Sequence, residues 1–392
     1  MGLLLMCVVI VIAASERLVS ADDQQQLGLS RASSTFSQNL YQKVAVKETN
    51  VVYSPYSIHS ALTMTYLGAK GTTATEMTQV LGFKSVSSPH QTYHDLIADW
   101  NSQHSVEVHT CNAIFINPYE MVLPTFIDQT RDYYLATADS LDLQEPEKAI
   151  NVLVANKTNN VIPQMLKPGT LDASTVLVLV NVLFFNGTWA RQFRRASTTQ
   201  ADFHQIGGTT SKVDMMHDFE SHKRVKRDNT NDLDVVALSF LGDRFSLYVA
   251  VPRKGDGITS LETLLSSPQN AEQLFEGLDF DYFHLSIPKF KIETSLELDS
   301  VLSAMGMATA FTAAADFSGI NGSGGLYIDK VIHKAVIDVQ ETGTVAAAAT
   351  VVSISKGLFM SPGAPVVADR PFVFFLRDDV TGQILFQGKF SG

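Results

Sequence analysis

The chain has 392 residues, of which 45% are hydrophobic, and a formal net charge of −11 at pH 7. This acidic balance excludes a generally basic surface for gripping nucleic acid, so we expect no nucleic-acid partner. The length is sufficient for a large buried core. Because no linker, charge block or repeat divides the chain, we predict a single large domain.

The N-terminus begins with an apolar run from Leu3 to Ala14, which is too short to span a bilayer but suits a secretory signal. Small residues follow, which predicts a signal peptide over residues 1–21 and a mature chain over 22–392. The next most apolar stretch, Ser174 to Phe185, contains polar residues and predicts a buried strand. We therefore expect a secreted, extracellular protein without a membrane anchor.

Removal of the signal would take away Cys7 and leave Cys111 as the single thiol. The apolar alternation around Cys111 predicts a buried, inert thiol on a strand. A secreted chain could also be glycosylated at its three Asn-x-Ser/Thr sequons, which are at Asn156, Asn186 and Asn321.

The first half of the chain predicts helices. Apolar residues recur at helical spacing in three segments, Phe36–Val44, Ser57–Leu67 and Thr75–Leu81, and glycines at 68, 71 and 82 act as stops.

The second half predicts strands, including two hairpins, 234–240 with 244–251 and 371–376 with 383–386. One helix interrupts them, with Leu298, Val301, Leu302 and Met305 on one side. Together these elements indicate an α+β protein with more than one antiparallel sheet.

A long segment of low charge lies between the predicted strand Lys334–Val339 and the strand that begins at Pro371. From Gly343 to Ser355 its side chains are small or uncharged, and Lys356 ends this pattern. Such a segment can enter the middle of a sheet without burying a charge, and Gly343 can serve as a hinge because it lacks a Cβ. From these residues alone, insertion as a strand and a flexible low-complexity connector both remain open.

Five motifs resemble those of the serpin family of serine protease inhibitors, and they occur in the order found in that family. They are similar to the proximal hinge of inhibitory serpins, the segment where the main sheet parts, the two-part family signature, the strand that feeds the loop, and the C-terminal strand. In this chain they are Glu341–Thr350, Asn50–Ser57, Asn159–Pro163 with Asn181–Trp189, Val331–Val336 and Asp369–Phe375. The match covers nearly the whole mature chain, and the sequence resembles those of the secreted serpins of arthropods, ticks included.

The resemblance implies the serpin fold: an α+β single large domain with three β-sheets, about nine helices and an exposed reactive-centre loop at about 341–365. It implies that Glu341 pairs with Lys289, and that a sheet-opening cluster contains Asn50, Ser54, Ser57 and a hydrogen-bonded His333. The implied hinge consists of Glu341, Gly343, Thr344, Ala346, Ala347, Ala348, Ala349 and Thr350.

The resemblance also implies a suicide substrate and not an enzyme. A serine protease would cut the loop and be trapped in a covalent 1:1 complex when the loop inserts into the sheet. We expect a monomer that needs no cofactor and no metal. Thr342 and Val345 depart from the residues common in the family, without expected consequence.

The family count places the reactive bond between Gly357 and Leu358, with Lys356 and Phe359 as alternative positions before the cut. Glycine offers no side chain to a specificity pocket. Lys356 would suit a trypsin-like protease, and Leu358 or Phe359 a chymotrypsin-like one.

Other functions are less consistent with the sequence. No Gly-x-Ser-x-Gly motif of a hydrolase occurs, and His90 and His94 fit exposed histidines better than metal ligands. The basic run Lys223–Arg227 could bind a sulfated glycosaminoglycan or be an ordinary strand edge. The main competing hypothesis is a serpin-fold protein that does not inhibit, such as a storage protein, chaperone or carrier.

Overall fold

The computed structural model describes residues 21–45, 49–172, 174–344 and 362–392. In these ranges the chain forms ten α-helices and four shorter helical turns. The helices are α1 (Ala21–Val44), α2 (Pro55–Tyr66), α3 (Gly71–Val80), α4 (Pro89–Asn101), α5 (Pro124–Tyr134), α6 (Pro146–Lys157), α7 (Ile258–Leu264), α8 (Pro268–Gln273), α9 (Asp299–Leu302) and α10 (Ser318–Asn321). The turns are Phe83–Ser85, Arg195–Ser197, Ser303–Met307 and Thr309–Phe311.

The same ranges contain fifteen strands. They are β1 (Val51–Tyr53), β2 (Val106–Ile116), β3 (Thr137–Ser140), β4 (Leu177–Thr188), β5 (Thr199–His204), β6 (Thr210–Asp228), β7 (Leu233–Ser239), β8 (Phe245–Pro252), β9 (Asp279–Pro288), β10 (Phe290–Glu297), β11 (Lys330–Val339), β12 (Gly343–Thr344), β13 (Gly363–Val367), β14 (Phe372–Asp378) and β15 (Ile384–Phe390). Six of them form the main sheet, in the order β10-β11-β12-β4-β2-β3. The other nine form one network, β1-β15-β14-β8-β7-β6-β9-β13, with β5 attached to β6.

The nine-stranded network joins two of the three predicted sheets. β6 is 19 residues long, and its successive parts pair with β5, then with β9, and finally with β7. Because one long strand serves both sheets, their hydrogen bonds form a continuous network. The predicted α+β fold is confirmed, with ten α-helices in the described ranges where about nine were expected.

Proline marks the start of α2, α4, α5, α6 and α8. Its fixed φ suits the first turn of a helix, where its missing N–H would have no intrahelical partner. At α2 the preceding Ser54 also caps the helix, since its Oγ accepts a hydrogen bond from the backbone N–H of Ser57 at 3.1 Å. These local signals fix where α2 begins beneath the main sheet.

Most of the elements predicted from periodicity are confirmed, including both hairpins, which are β7–β8 and β14–β15. Two details differ. Gly71 begins α3 instead of ending a helix. The helix predicted around Leu298 to Met305 is regular only to Leu302, and Gly306, at φ 117°, interrupts the turn that follows.

The centre of the main sheet is buried on both faces. Along β4, Leu177, Leu179 and Leu183 belong to the large core, whereas Val178 and Val182 belong to a smaller core that also contains Ile150 and Val154 of α6. A strand covered on both sides is expected to show a continuous apolar run. The prediction of a buried strand within Ser174–Phe185 is therefore confirmed.

Candidate functional site

The short strand β12 lies inside the main sheet, between β11 and β4. Thr344 pairs with Val339 of β11 on one side and with Gly187 of β4 on the other. Gly343 pairs with Thr188 of β4. The chain that leaves the top of β11 thus turns back and enters the sheet as a new, antiparallel strand.

Gly343 makes this entry possible. Its φ is +153°, and a Cβ built on it would lie 2.0 Å from the backbone oxygen of Gly187. Any side chain would therefore push β12 away from β4. The sequence-based assignment of Gly343 as a hinge fits this geometry.

The turn before the hinge is held by a second set of contacts. Trp189 donates from Nε1 to the carbonyl of Gln340 at 2.8 Å and from its backbone N–H to that of Thr342 at 3.0 Å. The backbone N–H of Phe193 donates to the carbonyl of Glu341 at 2.9 Å. Trp189 belongs to the segment that resembles the family signature, and no local signal in the sequence reveals this contact.

Glu341 is 7% exposed, and its side chain lies beside Lys289, as the resemblance implies. Its Oε2 is 3.3 Å from Nζ of Lys289, and its Oε1 accepts a hydrogen bond from Thr198 at 2.9 Å. Burial opposes ionisation, but the hydrogen bonds with its own backbone and with Thr198, together with Lys289, outweigh burial and lower the pKa of Glu341. The carboxylate therefore stays charged at the top of the sheet.

Below β12 the described part of the main sheet has an opening between β11 and β4. β11 pairs with β4 only from Lys330 opposite Val178 to Lys334 opposite Val182. Above that level, residues 335–338 and 183–186 keep their outer neighbours, β10 and β2, but no pair joins them to each other. A cavity of about 210 Å³ occupies this opening, and its lining includes Phe184, Phe185, Val336, Ile337 and Thr344.

A buried polar cluster lies where the two strands meet again. The backbone N–H of Ser54 donates to Nε2 of His333 at 3.0 Å, so Nδ1 carries the ring hydrogen and donates to Oδ1 of Asn181 at 2.8 Å. The amide of Asn181 donates to the carbonyl of Ser57, at 2.5 Å, and to the side chain of Asn112. Burial lowers the pKa of His333 to about 3, so the ring is neutral. The cluster ties β2, β4 and β11 to the start of α2.

This arrangement corrects one expectation and adds two residues. Asn50 is not in the cluster, because its Oδ1 accepts from the backbone N–H of Ser391 at 2.6 Å near the C-terminus. Asn112 and Asn181 were not predicted as members. Their register in adjacent strands aligns them, and register cannot be inferred from a single strand sequence.

Residues 345–361, the greater part of the predicted reactive loop, lie outside the described residues. This applies to the predicted hinge residues Ala346, Ala347, Ala348, Ala349 and Thr350, and to Lys356, Gly357, Leu358 and Phe359 around the predicted reactive bond. The predicted signal segment lies outside as well, apart from Ala21, the first residue of α1.

The three sequons differ in environment. Asn156 is exposed on α6, and Asn186 is half-buried with its amide 3.2 Å from Oε2 of Glu107. Asn321 is only 5% exposed, and its amide donates to Glu120 and to the carbonyl of Gly324. A glycan on Asn321 would replace one of the two amide hydrogens, so at least one of these hydrogen bonds would be lost at a buried side chain, and the structure argues against this site.

The basic run is not a free cationic surface. Lys223 is buried beside Asp218, Arg224 pairs with Asp379 and Arg227 pairs with Asp234. These carboxylates neutralise three of the charges, which contradicts a sulfated-sugar site at Lys223–Arg227.

The two histidines and the cysteine that the sequence offered as polar candidates make contacts of a structural kind. His90 and His94 are half-buried and not exposed as the sequence predicted. His90 Nδ1 lies 2.7 Å from the hydroxyl of Tyr134, and His94 Nδ1 lies 2.8 Å from the carbonyl of Asp132. Burial raises the pKa of the Cys111 thiol to about 11, which fits the predicted inert thiol. Across the four described ranges, no three His, Cys, Asp or Glu side chains are grouped to hold a metal ion, and no helix has the length and apolarity to cross a membrane.

Comparisons with known proteins agree with this geometry. The sequence model of the family described as "Serpin (serine protease inhibitor)" matches residues 31–392. Human Serpin B4 is 33% identical over 390 residues, covering 93% of this chain and 99% of its own, and human leukocyte elastase inhibitor is 33% identical over 380 residues with the same coverages. The crystal structure of Serpin48 from the insect Tenebrio molitor superposes with a TM-score of 0.85 at 28% identity, covering 95% of this chain and 99% of its own. With its main sheet, inward-turned hinge and near-complete family match, this chain belongs to the serpin family.

Proposed function

We propose that this serpin inhibits serine proteases as a suicide substrate, by inserting its cut reactive loop into the main sheet. The observation that carries the proposal is the opening between β4 and β11, with β12 already seated at its top. Among the described residues no strand fills the position below β12, and the hinge enters the sheet at the top of that position, which is the arrangement that insertion requires. The name of a relative, leukocyte elastase inhibitor, adds support from that protein.

The register of β12 indicates how far insertion would run. Thr344 faces Val339 and Gly187, so an antiparallel continuation would set residues 345–348 between 335–338 and 183–186. These residues are Val345 and three alanines, which carry no charge. Two residues later, Thr350 would arrive between His333 and Asn181. Full insertion therefore requires the polar cluster to separate.

The chemical step is an acyl transfer to the protease. The serine Oγ of the protease would attack the carbonyl carbon of Gly357, or of Lys356 in the alternative register. An ester bond forms, the peptide bond breaks, and the proton from the serine leaves on the released amine. Insertion of the freed loop before water reaches the ester would keep the complex covalent, at one protease per inhibitor.

The energy released is sufficient for this work. A net gain of roughly 0.5–1.5 kcal/mol per backbone hydrogen bond, summed over about a dozen residues paired on both edges, gives on the order of ten kcal/mol or more. That value is comparable to the whole stability of a protein domain. Insertion can therefore deform the active site of an attached protease.

The finer parts of the proposal concern the target and the compartment. Lys356 favours a trypsin-like protease, and Leu358 or Phe359 a chymotrypsin-like one. The apolar N-terminus supports secretion to the extracellular space, with glycans on Asn156 and Asn186. We propose that the inhibitor acts as a monomer.

The decisive experiment mixes the purified chain with trypsin-like, chymotrypsin-like and elastase-like proteases. A protease–inhibitor band that survives boiling on a denaturing gel is expected, and mass spectrometry of the released C-terminal peptide identifies the bond by its first residue. Clean cleavage without such a band would contradict trapping and favour a serpin that is a storage protein, chaperone or carrier.

A further inference from the structure

Two phenylalanines lie in solvent on the nine-stranded network. Phe219 is 55% exposed and Phe280 is 67% exposed. Every other phenylalanine in the described ranges is buried or half-buried. Isolated exposed apolar side chains are common, but grouped ones usually mark a contact surface.

These two rings belong to a group on one face of β6 and β9. Phe219 stacks on His217 with centroids 5.4 Å apart and meets the edge of His284 at 5.9 Å. Phe280 stacks on His222 at 5.4 Å. We call these five side chains the aromatic patch.

The sheet itself connects the two halves of the patch. His222 pairs with Tyr282 across β6 and β9, and Tyr282 lies two residues from both Phe280 and His284. Because side chains two residues apart on a strand point to the same face, Tyr282 bridges the two stacked pairs.

Two hydrogen bonds hold His217 of the aromatic patch in one orientation. Nδ1 of His217 lies 2.8 Å from the hydroxyl of Ser286, and Nε2 lies 3.1 Å from that of Thr199. The β6–β9 register shifts between Asp218 and Ser221, and this irregularity contains Phe219. Bulges commonly redirect side chains next to functional sites. Rigid aromatic rings offer contact area at little cost in conformational entropy.

The patch adjoins the end of the reactive loop. β9 pairs with β13, and Gly363 of β13 lies opposite Phe283, between Tyr282 and His284. The predicted reactive bond after Gly357 is six residues from Gly363, at most about 20 Å of extended chain. A globular protease of about 220 residues has a radius of gyration of about 17 Å. A protease holding that bond would therefore come within reach of the patch.

We propose that the aromatic patch is a second contact surface for the target protease, outside its active-site cleft. It would receive a protease surface loop that presents apolar or basic side chains. Exposed ring faces bind such groups by burial and by cation–π attraction. This inference rests on the proposed inhibitory function, because that function brings a protease to the loop.

The test replaces both rings, as Phe219→Ser with Phe280→Ser. Binding is measured by calorimetry to trypsin and chymotrypsin whose catalytic serine is changed to alanine, so that docking is read without trapping. We expect the dissociation constant of the preferred protease to rise at least about tenfold, as for loss of a hot spot. Covalent trapping of the active protease should slow by a similar factor, with unchanged stoichiometry. Tyr119→Ser, at an 87% exposed ring on the loop after β2, is the matched control and should bind like the wild type.

The outcomes separate the two proposals. Trapping by the wild type with equal binding by the double variant overturns the patch and leaves the inhibitory function intact. Binding that depends on Phe219 and Phe280, without any covalent band, supports the patch and overturns the trapping mechanism. Sedimentation that shows a wild-type dimer dissociated by the double variant would overturn the proposal, since the patch would then be a self-association surface.

Discussion

The upper and lower halves of the β4–β11 contact differ although both are built from the same two strands. In the upper half the strands are apart, and Thr344 is the one described residue that pairs with both of them. In the lower half they pair directly, and His333 and Asn181 hold them to the start of α2. The lining of the upper half includes the apolar side chains of Phe184, Phe185 and Ile337, against which an uncharged strand can pack. The lower half is closed by directional hydrogen bonds that must break before a strand can enter.

The largest expected effect comes from a charge in the upper half. Thr344→Arg would place a guanidinium at a position that is 2% exposed, between β11 and β4. Because burying an unpaired charge is prohibitive, we expect covalent inhibition to disappear while cleavage of the loop continues. Denaturing gels measure both.

Thr342→Arg is the matched control, since Thr342 is half-buried in the turn outside β12. It should retain trapping. Unchanged inhibition by the Thr344 variant would contradict insertion.

A smaller effect is expected from the lower half. Asn181→Ala removes the acceptor for His333 and both amide hydrogen bonds, and leaves buried partners unsatisfied. We expect a loss of roughly 2–4 kcal/mol in the free energy of unfolding, measured by urea denaturation. The sheet should also open more readily, seen as faster insertion of a synthetic peptide with the sequence of residues 343–354. Asn156→Ala, at an exposed asparagine, should change neither value.

The pH dependence of stability tests whether three histidines are neutral in the folded chain, and one of them, His333, belongs to the lower half. Burial lowers the pKa of His333 to about 3 and those of His59 and His90 to about 4, from 6.5. The unfolded chain therefore binds more protons below pH 6.5, so stability is full above that value and falls as pH drops toward 4. Each histidine lowers the free energy of unfolding by up to about 1.4 kcal/mol for each pH unit below 6.5. Urea midpoints at pH 7.4, 6 and 5 measure this slope, and His90→Gln should reduce it by roughly a third. An unchanged midpoint at pH 5 would contradict buried neutral histidines.

The smallest effect is expected at the rim of the upper half. Lys289 is 37% exposed as a side chain, so its ion pair with Glu341 is partly screened. Glu341→Gln should lower the free energy of unfolding by about 1 kcal/mol or less. A double-mutant cycle with Lys289→Gln isolates the coupling energy of the pair. A value near zero would show that Thr198 and the backbone contacts of the turn suffice to hold Glu341 without Lys289.

Much of the fold was predictable from local pattern. Helical periodicity located α1 to α3, and turn residues located the hairpins β7–β8 and β14–β15, because these signals involve neighbours in the chain. The helix near Leu302 was overextended, since Gly306 adopts a conformation that periodicity does not report. The strand β6 shows most clearly what the sequence alone does not reveal. Charges that look free in sequence, such as Arg224, are paired with residues far along the chain.

The sequence by itself determined the composition of the hinge: an uncharged segment with Gly343 at its start, which can become a strand because nothing in it resists burial. Only the tertiary structure decided where that strand goes. The alignment of β4 with β11 creates the opening, places His333 beside Asn181 and excludes Asn50 from the cluster. Strand register and the meeting of distant segments depend on packing of the whole core, and no short stretch of residues encodes them.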